Sequence, residues 1–210
     1  MKNIKCFIAF ISVVAFVMIT NCTAPTAGVE TTNGATVVMK DNRVEGTSPP
    51  YASVYLFDTS YIPFIDTGLG VATVSDQDGF FSMQQIHAKV INVQVVDTRR
   101  RSTVLISAGA DGETYRSELK PPGALSGNVE TSRTGRILVY ICGSGYYVFL
   151  DTNGEFSFKE LPPASYKIQA LLLSSAAAGE KPVIVTSSAK VLVSVISGEV
   201  TRVADKVIIQ

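Results

Sequence analysis

From Ala35 onward the apolar residues arrive in short blocks rich in Val, Ile, Tyr, Phe and Thr, with clusters of Gly, Pro, Asp and Asn between them. The blocks before the midpoint are Thr36–Met39, Ser53–Phe57, Gly70–Val74, Phe80–Met83, Val90–Val96 and Val104–Ile106. After Pro121-Pro122-Gly123 the same grammar resumes in Ile137–Ile141, Tyr146–Leu150, Glu155–Phe158, Tyr166–Leu173, Val183–Thr186, Val191–Ile196 and Val200–Ile209. Short β-branched and aromatic runs bounded by turn formers are the signature of strands, not of amphipathic helices, so the chain is expected to be all-β. Only Ser174–Gly179, with Ala176-Ala177-Ala178, leans toward helix, and it reads as a loop carrying one turn.

The blocks repeat. Asp76-Gln77-Asp78-Gly79-Phe80-Phe81-Ser82-Met83 followed by Ile86 aligns with Asp151-Thr152-Asn153-Gly154-Glu155-Phe156-Ser157-Phe158 followed by Leu161. Upstream, Val44-Glu45-Gly46 and then Ala52–Leu56 align with Leu125-Ser126-Gly127 and then Arg136–Tyr140. Two copies of one module fit a 210-residue chain, with Pro121-Pro122-Gly123 as the boundary. Within each copy an Asx-Gly pair, Asp78-Gly79 or Asn153-Gly154, predicts a hairpin turn, because both residue types tolerate positive φ. Alternation then places Phe81 and Phe156 inward and Ser82 and Ser157 outward.

The order Gly, then Ala52-x-Val54-x-Leu56, then Thr73-x-x-Asp76-x-Asp78-Gly79-Phe80-Phe81, then Leu161-Pro162-Pro163-Ala164-x-Tyr166-x-Ile168 resembles the carboxypeptidase regulatory-like domain. That resemblance implies a transthyretin-like, Ig-like β-sandwich of about seven strands that is not catalytic. It covers nearly all of residues 35–210 and is most specific in the second copy. There Ala164-Ser165 stands where the family usually has Gly, and Ile86–Val90 of the first copy lacks the Pro and the Tyr. The expected organisation is two tandem sandwiches, module 1 over 34–121 and module 2 over 122–210.

The first 21 residues set an address. Lys2 and Lys5 precede an apolar run from Cys6 to Ile19. A spanning helix needs about 20 apolar residues, and this run is short of that, so it reads as an export signal over 1–21. It closes in Ile19-Thr20-Asn21-Cys22, which resembles a bacterial lipobox, although Asn21 replaces the usual small residue before the Cys. The resemblance implies lipidation of Cys22 and membrane anchorage in a bacterial cell envelope. Residues 22–33 are small, polar and almost uncharged, as a flexible tether would be. The competing expectation is ordinary cleavage near Ala24 or Ala27, which Pro25 makes awkward; a Cys22–Cys142 disulfide would then also be open. Otherwise Cys142, in an apolar stretch, reads as a small core residue.

Charge excludes a nucleic-acid partner. The chain carries 18 basic and 18 acidic residues, and loss of Lys2 and Lys5 leaves 16 against 18, a net of about −2. Its one basic cluster, Arg99-Arg100-Arg101, falls between two strand-like blocks and reads as a solvated hairpin tip, with contact to an anionic partner as the alternative. Catalysis has little to work with. The single histidine, His87, would have to serve any Ser or Cys nucleophile, and Gly143-Ser144-Gly145 lacks the nucleophile-elbow pattern. Asp76, Asp78, Asp151 and Asn153 lack the ligand density of a calcium loop, and they read as turn residues. No cofactor or metal is expected.

The remaining readings are of binding. A non-catalytic envelope protein would scaffold a partner protein through a sheet edge or the long Asp58–Gly68 loop. The alternative is a polysaccharide binder that stacks sugars on exposed rings. Its candidates are Tyr146 and Tyr147, of which alternation sends one outward, and Tyr61 in the aromatic-rich segment with Tyr51, Tyr55, Phe57 and Phe64. Ordinary core packing plus one solvated Tyr accounts for the same residues.

Overall fold

A computed structural model describes residues 33–66, 70–84, 86–174 and 182–210. The signal segment, Cys22, the tether up to residue 32 and most of Ser174–Gly179 lie outside the described residues, as does 67–69 of the long loop. Among the described residues there are seventeen strands and no helix. The protein is all-β, and its strands form four sheets.

Residues up to Glu118 make β1 (Gly34–Lys40), β2 (Arg43–Thr47), β3 (Ser53–Asp58), β4 (Gly70–Val74), β5 (Phe80–Gln84), β6 (Val90–Asp97), β7 (Ser102–Gly109) and β8 (Thr114–Glu118). One sheet runs β5-β2-β1-β8 and the facing sheet β4-β3-β6-β7. Val37, Val44, Val54, Leu56, Val93 and Val95 are among the buried side chains of the core between them. Beyond Pro122 come β9 (Gly123–Thr131), β10 (Arg136–Ile141), β11 (Tyr147–Leu150), β12 (Gly154–Leu161), β13 (Ser165–Leu173), β14 (Ile184–Ser187), β15 (Val191–Ser194), β16 (Val200–Arg202) and β17 (Val207–Ile209). Here one sheet is β12-β9-β16, with β17 continuing beside β9, and the other is β11-β10-β13-β14, with β15 also on β13. Leu125, Val139, Phe156, Ile168 and Leu172 belong to the second core.

The repeat is visible as topology. Pairing of β2 with β5 and the order β4-β3-β6-β7 recur as pairing of β9 with β12 and the order β11-β10-β13 with β14 and β15. The copies differ at one flank. Beside β2 stands β1, antiparallel and itself covered by β8, whereas the C-terminal β16 and β17 lie parallel to β9.

Register explains the repeated Gly. Gly46 pairs with Phe81 and Gly127 with Phe156. A Cβ on Gly46 would stand 2.6 Å from the Phe81 ring, and one on Gly127 would stand 2.6 Å from the Phe156 ring. Each ring therefore closes against a bare Cα and leaves no room for a side chain there. Phe81 and Phe156 are buried, while Ser82 is half-buried and Ser157 exposed, as alternation predicts.

The Asx-Gly segments do not close hairpins. β4 and β5 belong to different sheets, as do β11 and β12, so both segments arch from one sheet to the other. In the first arch the Asp76 carboxylate accepts from the N–H groups of Asp78 and Phe80 at 2.9 and 2.8 Å, an Asx turn. In the second, Asn153 accepts from Thr131 N–H at 2.8 Å and donates to Thr131 O at 3.0 Å. The two-residue hairpin turn occurs instead at Asp41-Asn42, between β1 and β2, where both residues have positive φ (52° and 59°).

Candidate functional site

Thr31–Gln210 forms one compact unit, and the residues singled out as binding candidates lie largely where its two sandwiches meet. The outer face of the β3–β6–β7 sheet supplies Asn92 and Gln94 to this seam. Both sit on β6, facing away from the first core because Ile91, Val93 and Val95 alternate with them. From the other sandwich comes the turn after β10, Cys142-Gly143-Ser144-Gly145-Tyr146. Asn92 Nδ2 donates to Gly143 O at 2.8 Å, and Gln94 Nε2 donates to the Tyr146 hydroxyl at 2.7 Å. Gly143 N–H donates to Tyr61 O at 3.1 Å. Gly143 has φ of 66°, and a Cβ there would meet Asn92 Nδ2 at 2.7 Å and the Thr59 backbone at 3.0 Å. Only glycine fits that approach.

Tyr146 is the centre of this seam. Its hydroxyl accepts from Gln94 and donates to Glu160 O at 2.8 Å. Burial pushes the phenol up to about 12, partly opposed by the Gln94 hydrogen bond. Tyr61 is half-buried and packs at a tilt on Phe57, ring centroids 5.5 Å apart. Tyr147 is the outward ring of the adjacent pair, 46% exposed. The three tyrosines therefore do not share one surface: the Tyr146 hydroxyl and the Tyr61 carbonyl join the sandwiches, and Tyr147 faces out.

A second junction lies on the far face of module 2. Leu138, Tyr140, Leu171 and Leu173 point away from the second core, and Ile62, Ile65, Cys142 and Phe149 pack over them. The long loop after β3 thus covers an apolar sheet face that would otherwise be exposed. Asp66 fastens it, accepting from Ile62 N–H at 2.7 Å. At its border Phe64, 51% exposed, meets Phe149 edge-on at 5.0 Å, and Phe149 meets Tyr147 edge-on at 5.7 Å. Arg136 stands 4.0 Å over the Phe149 ring. These rings turn 84° and 78° to one another, so they form a cluster and not a flat platform.

The other candidates fall apart from one another. His87 is exposed in a loop, and Cys142 is a half-buried free thiol. The Arg99–Arg101 run forms the exposed β6–β7 hairpin tip, its loop fastened by buried Asp97, which accepts from Arg99 and Arg100 N–H at 3.0 and 3.3 Å. Arg99 lies 5.0 Å over the Tyr51 ring. Among the described residues no three His, Cys, Asp or Glu side chains converge on a point where a metal would sit.

No protein-family profile and no curated protein matches the chain. Among solved structures, a minor pilin from the Gram-positive pathogen Streptococcus agalactiae is similar at 9% identity, covering 79% of this chain and 85% of its own, with a TM-score of 0.32. A shaft pilin from Lactobacillus rhamnosus GG is similar at 8% identity over 78% of this chain and 88% of its own, with a TM-score of 0.24. Likenesses of this size bear on neither function nor partner.

Proposed function

We propose that this chain is a non-catalytic, lipid-anchored protein of a bacterial cell envelope, in which two carboxypeptidase regulatory-like sandwiches act as one rigid body that holds a partner at a fixed place. The observation that carries the reading is the seam. Asn92, Gln94 and Tyr146 join the sandwiches by side-chain hydrogen bonds, and the loop from Tyr61 to Asp66 covers the outer face of module 2. Such a joint suits a spacer, because it removes the hinge that two tandem domains otherwise have. Anchorage through Cys22 is supported by the export-signal pattern and by the small, polar segment that follows it.

Metabolic labelling in cells with an alkyne fatty acid tests the anchor. The reading expects label on the full chain and none on Cys22→Ala, with the unlabelled protein leaving the membrane fraction. A labelled Cys22→Ala chain, or a wild-type chain that is exported and unlabelled, overturns it.

A further inference from the structure

Strand β4 lies at the rim of its sheet, with β3 as its strand partner. The hydrogen bonds around it fix which of its main-chain groups are free. Ser75 N–H donates to Ala52 O at 3.0 Å, so Ser75 and Ala52 form a hydrogen-bonded pair at the end of the β3–β4 ladder. Such pairs alternate along antiparallel strands. Thr73 and Val71 therefore bond to β3 as well, while Gly70, Ala72 and Val74 aim their N–H and C=O groups away from it. The same phase, carried across β3 and β6, turns Thr103 of β7 outward, and Thr103 does exchange hydrogen bonds of 2.8 and 3.0 Å with Lys120. Among the described residues, none hydrogen-bonds the outward groups of Ala72 or Val74.

A free row of this kind is a template for another strand, and proteins ordinarily blunt it with charge, proline or a bulge. The rim strand β8 carries Arg116 and Glu118, and β12 carries Glu155, Lys159 and Glu160 with a shift of register. β4, with the sequence GVATV, has no charged residue, no proline and no shift in its register with β3. Gly70, Val71, Ala72 and Val74 are all exposed, Val74 at 58%. The row is also complementary to itself. An antiparallel twofold through Ala72 sets Ala72 against Ala72 and Gly70 against Val74, so every outward N–H and C=O of these residues finds a partner. The same register places Val74 of one copy beside Gly70 of the other, where a Cβ would stand 3.4 Å from the Phe57 ring and 3.7 Å from the Tyr61 hydroxyl. An apolar side chain thus covers rings that the glycine leaves bare, and neither strand brings a charge to repel its twin. We infer that β4 pairs antiparallel with β4 of a second copy, joining two β4-β3-β6-β7 sheets into one continuous sheet of a twofold dimer. The inference goes beyond the spacing role and does not depend on lipidation. Strands of five residues bury less than a standard interface, so the dimer is weak, with a Kd of about 100 µM.

The test is sedimentation equilibrium of Thr31–Gln210, the compact unit that holds every described strand and all three apolar clusters, between about 10 µM and about 1 mM. A monomer–dimer equilibrium is expected, and Ala72→Pro and Val74→Lys each weaken it by about tenfold or more. Proline at Ala72 removes an N–H that points away from β3, so the β3–β4 ladder stays whole. Val74→Lys changes only an exposed side chain, which keeps the test valid should the proline variant fail to fold. Val200→Lys, at an exposed apolar residue of module 2, leaves the dimer unchanged. Amide exchange followed by NMR reads the alternation directly. Between about 20 µM and about 1 mM the Ala72 and Val74 amides slow about fourfold as the monomer fraction falls, whereas Val71 and Thr73 are slow at both concentrations. The inference is overturned by a monomer at about 1 mM, which would leave this edge to a strand of another protein. It is overturned as well by a dimer that survives both β4 substitutions, by one that Val200→Lys dissolves, or by Ala72 and Val74 exchange that does not change with concentration.

Discussion

At the scale of single residues, the Gly–Phe pairs and Tyr146 dominate. Gly127→Ala drives a methyl into the Phe156 ring and against Val203, whose Cβ would be 3.1 Å away. Overpacking of a filled core costs about 1–3 kcal/mol, so chemical denaturation of this variant is expected to show a loss of that size. Gly154→Ala is the control. Gly154 opens β12 without positive φ, and nothing lies within 4 Å of an added Cβ, so stability stays within about 0.5 kcal/mol of wild type. Tyr146 carries a pH signature. Its phenol is pushed up to about 12 from an ordinary value of 10, so the neutral form is favoured in the folded protein. A group raised in the folded state contributes stability that is complete below its unfolded value and lost as pH rises to the folded one, here between pH 10 and 12. Tyr146→Phe is expected to lower stability at pH 7 by about 1–2 kcal/mol and to flatten the decline over that window. Burial also raises Tyr140 and Tyr166, so some alkaline loss persists. Melting curves at pH 7, 10, 11 and 12 read both effects.

At the scale of elements, the legible strands were those with contiguous apolar residues. Gly70–Val74 has the same bounds in sequence and structure, and the β3, β6, β10 and β13 strands each extend the expected block by one residue at one end only. β2 (RVEGT), β8 (TYRSE) and β9 (GALSGNVET) did not stand out as apolar blocks. Their inward positions are few, or filled by Gly and Leu between polar neighbours, so the period-2 signal is faint. The Asx-Gly pairs predict hairpins and form arches, because the same turn chemistry serves an arch between sheets as well as a hairpin within one. Local sequence cannot say which sheet the next strand joins. Asp41-Asn42, with neither Gly nor a strongly apolar strand after it, is the real tight turn. Gly suits the second position of such a turn, so Asn42→Gly is expected to raise stability by about 0.5–1 kcal/mol in urea unfolding. The candidate sites were harder still. Asn92 and Gln94 look like the solvent side of an ordinary strand and become parts of a joint only through the packing of the two sandwiches.

For the whole molecule, the seam decides whether there are two domains on a string or one body. Tandem domains of about 90 residues ordinarily unfold independently unless their interface is large or apolar. Here polar clamps at Asn92 and Gln94 combine with an apolar cover over Leu138, Tyr140, Leu171 and Leu173. Replacing Ile62 and Ile65 together by Ser uncovers that face, and the hydrophobic loss is expected to fall on the coupling more than on the separate cores. The most direct measurement is differential scanning calorimetry of Thr31–Gln210 beside its Asn92→Ala/Tyr146→Phe/Ile62→Ser/Ile65→Ser variant. The interlocked body predicts one transition for the wild type, with equal calorimetric and van't Hoff enthalpies, that splits into two in the variant. Two independent transitions in the wild type, unchanged by the substitutions, would contradict it.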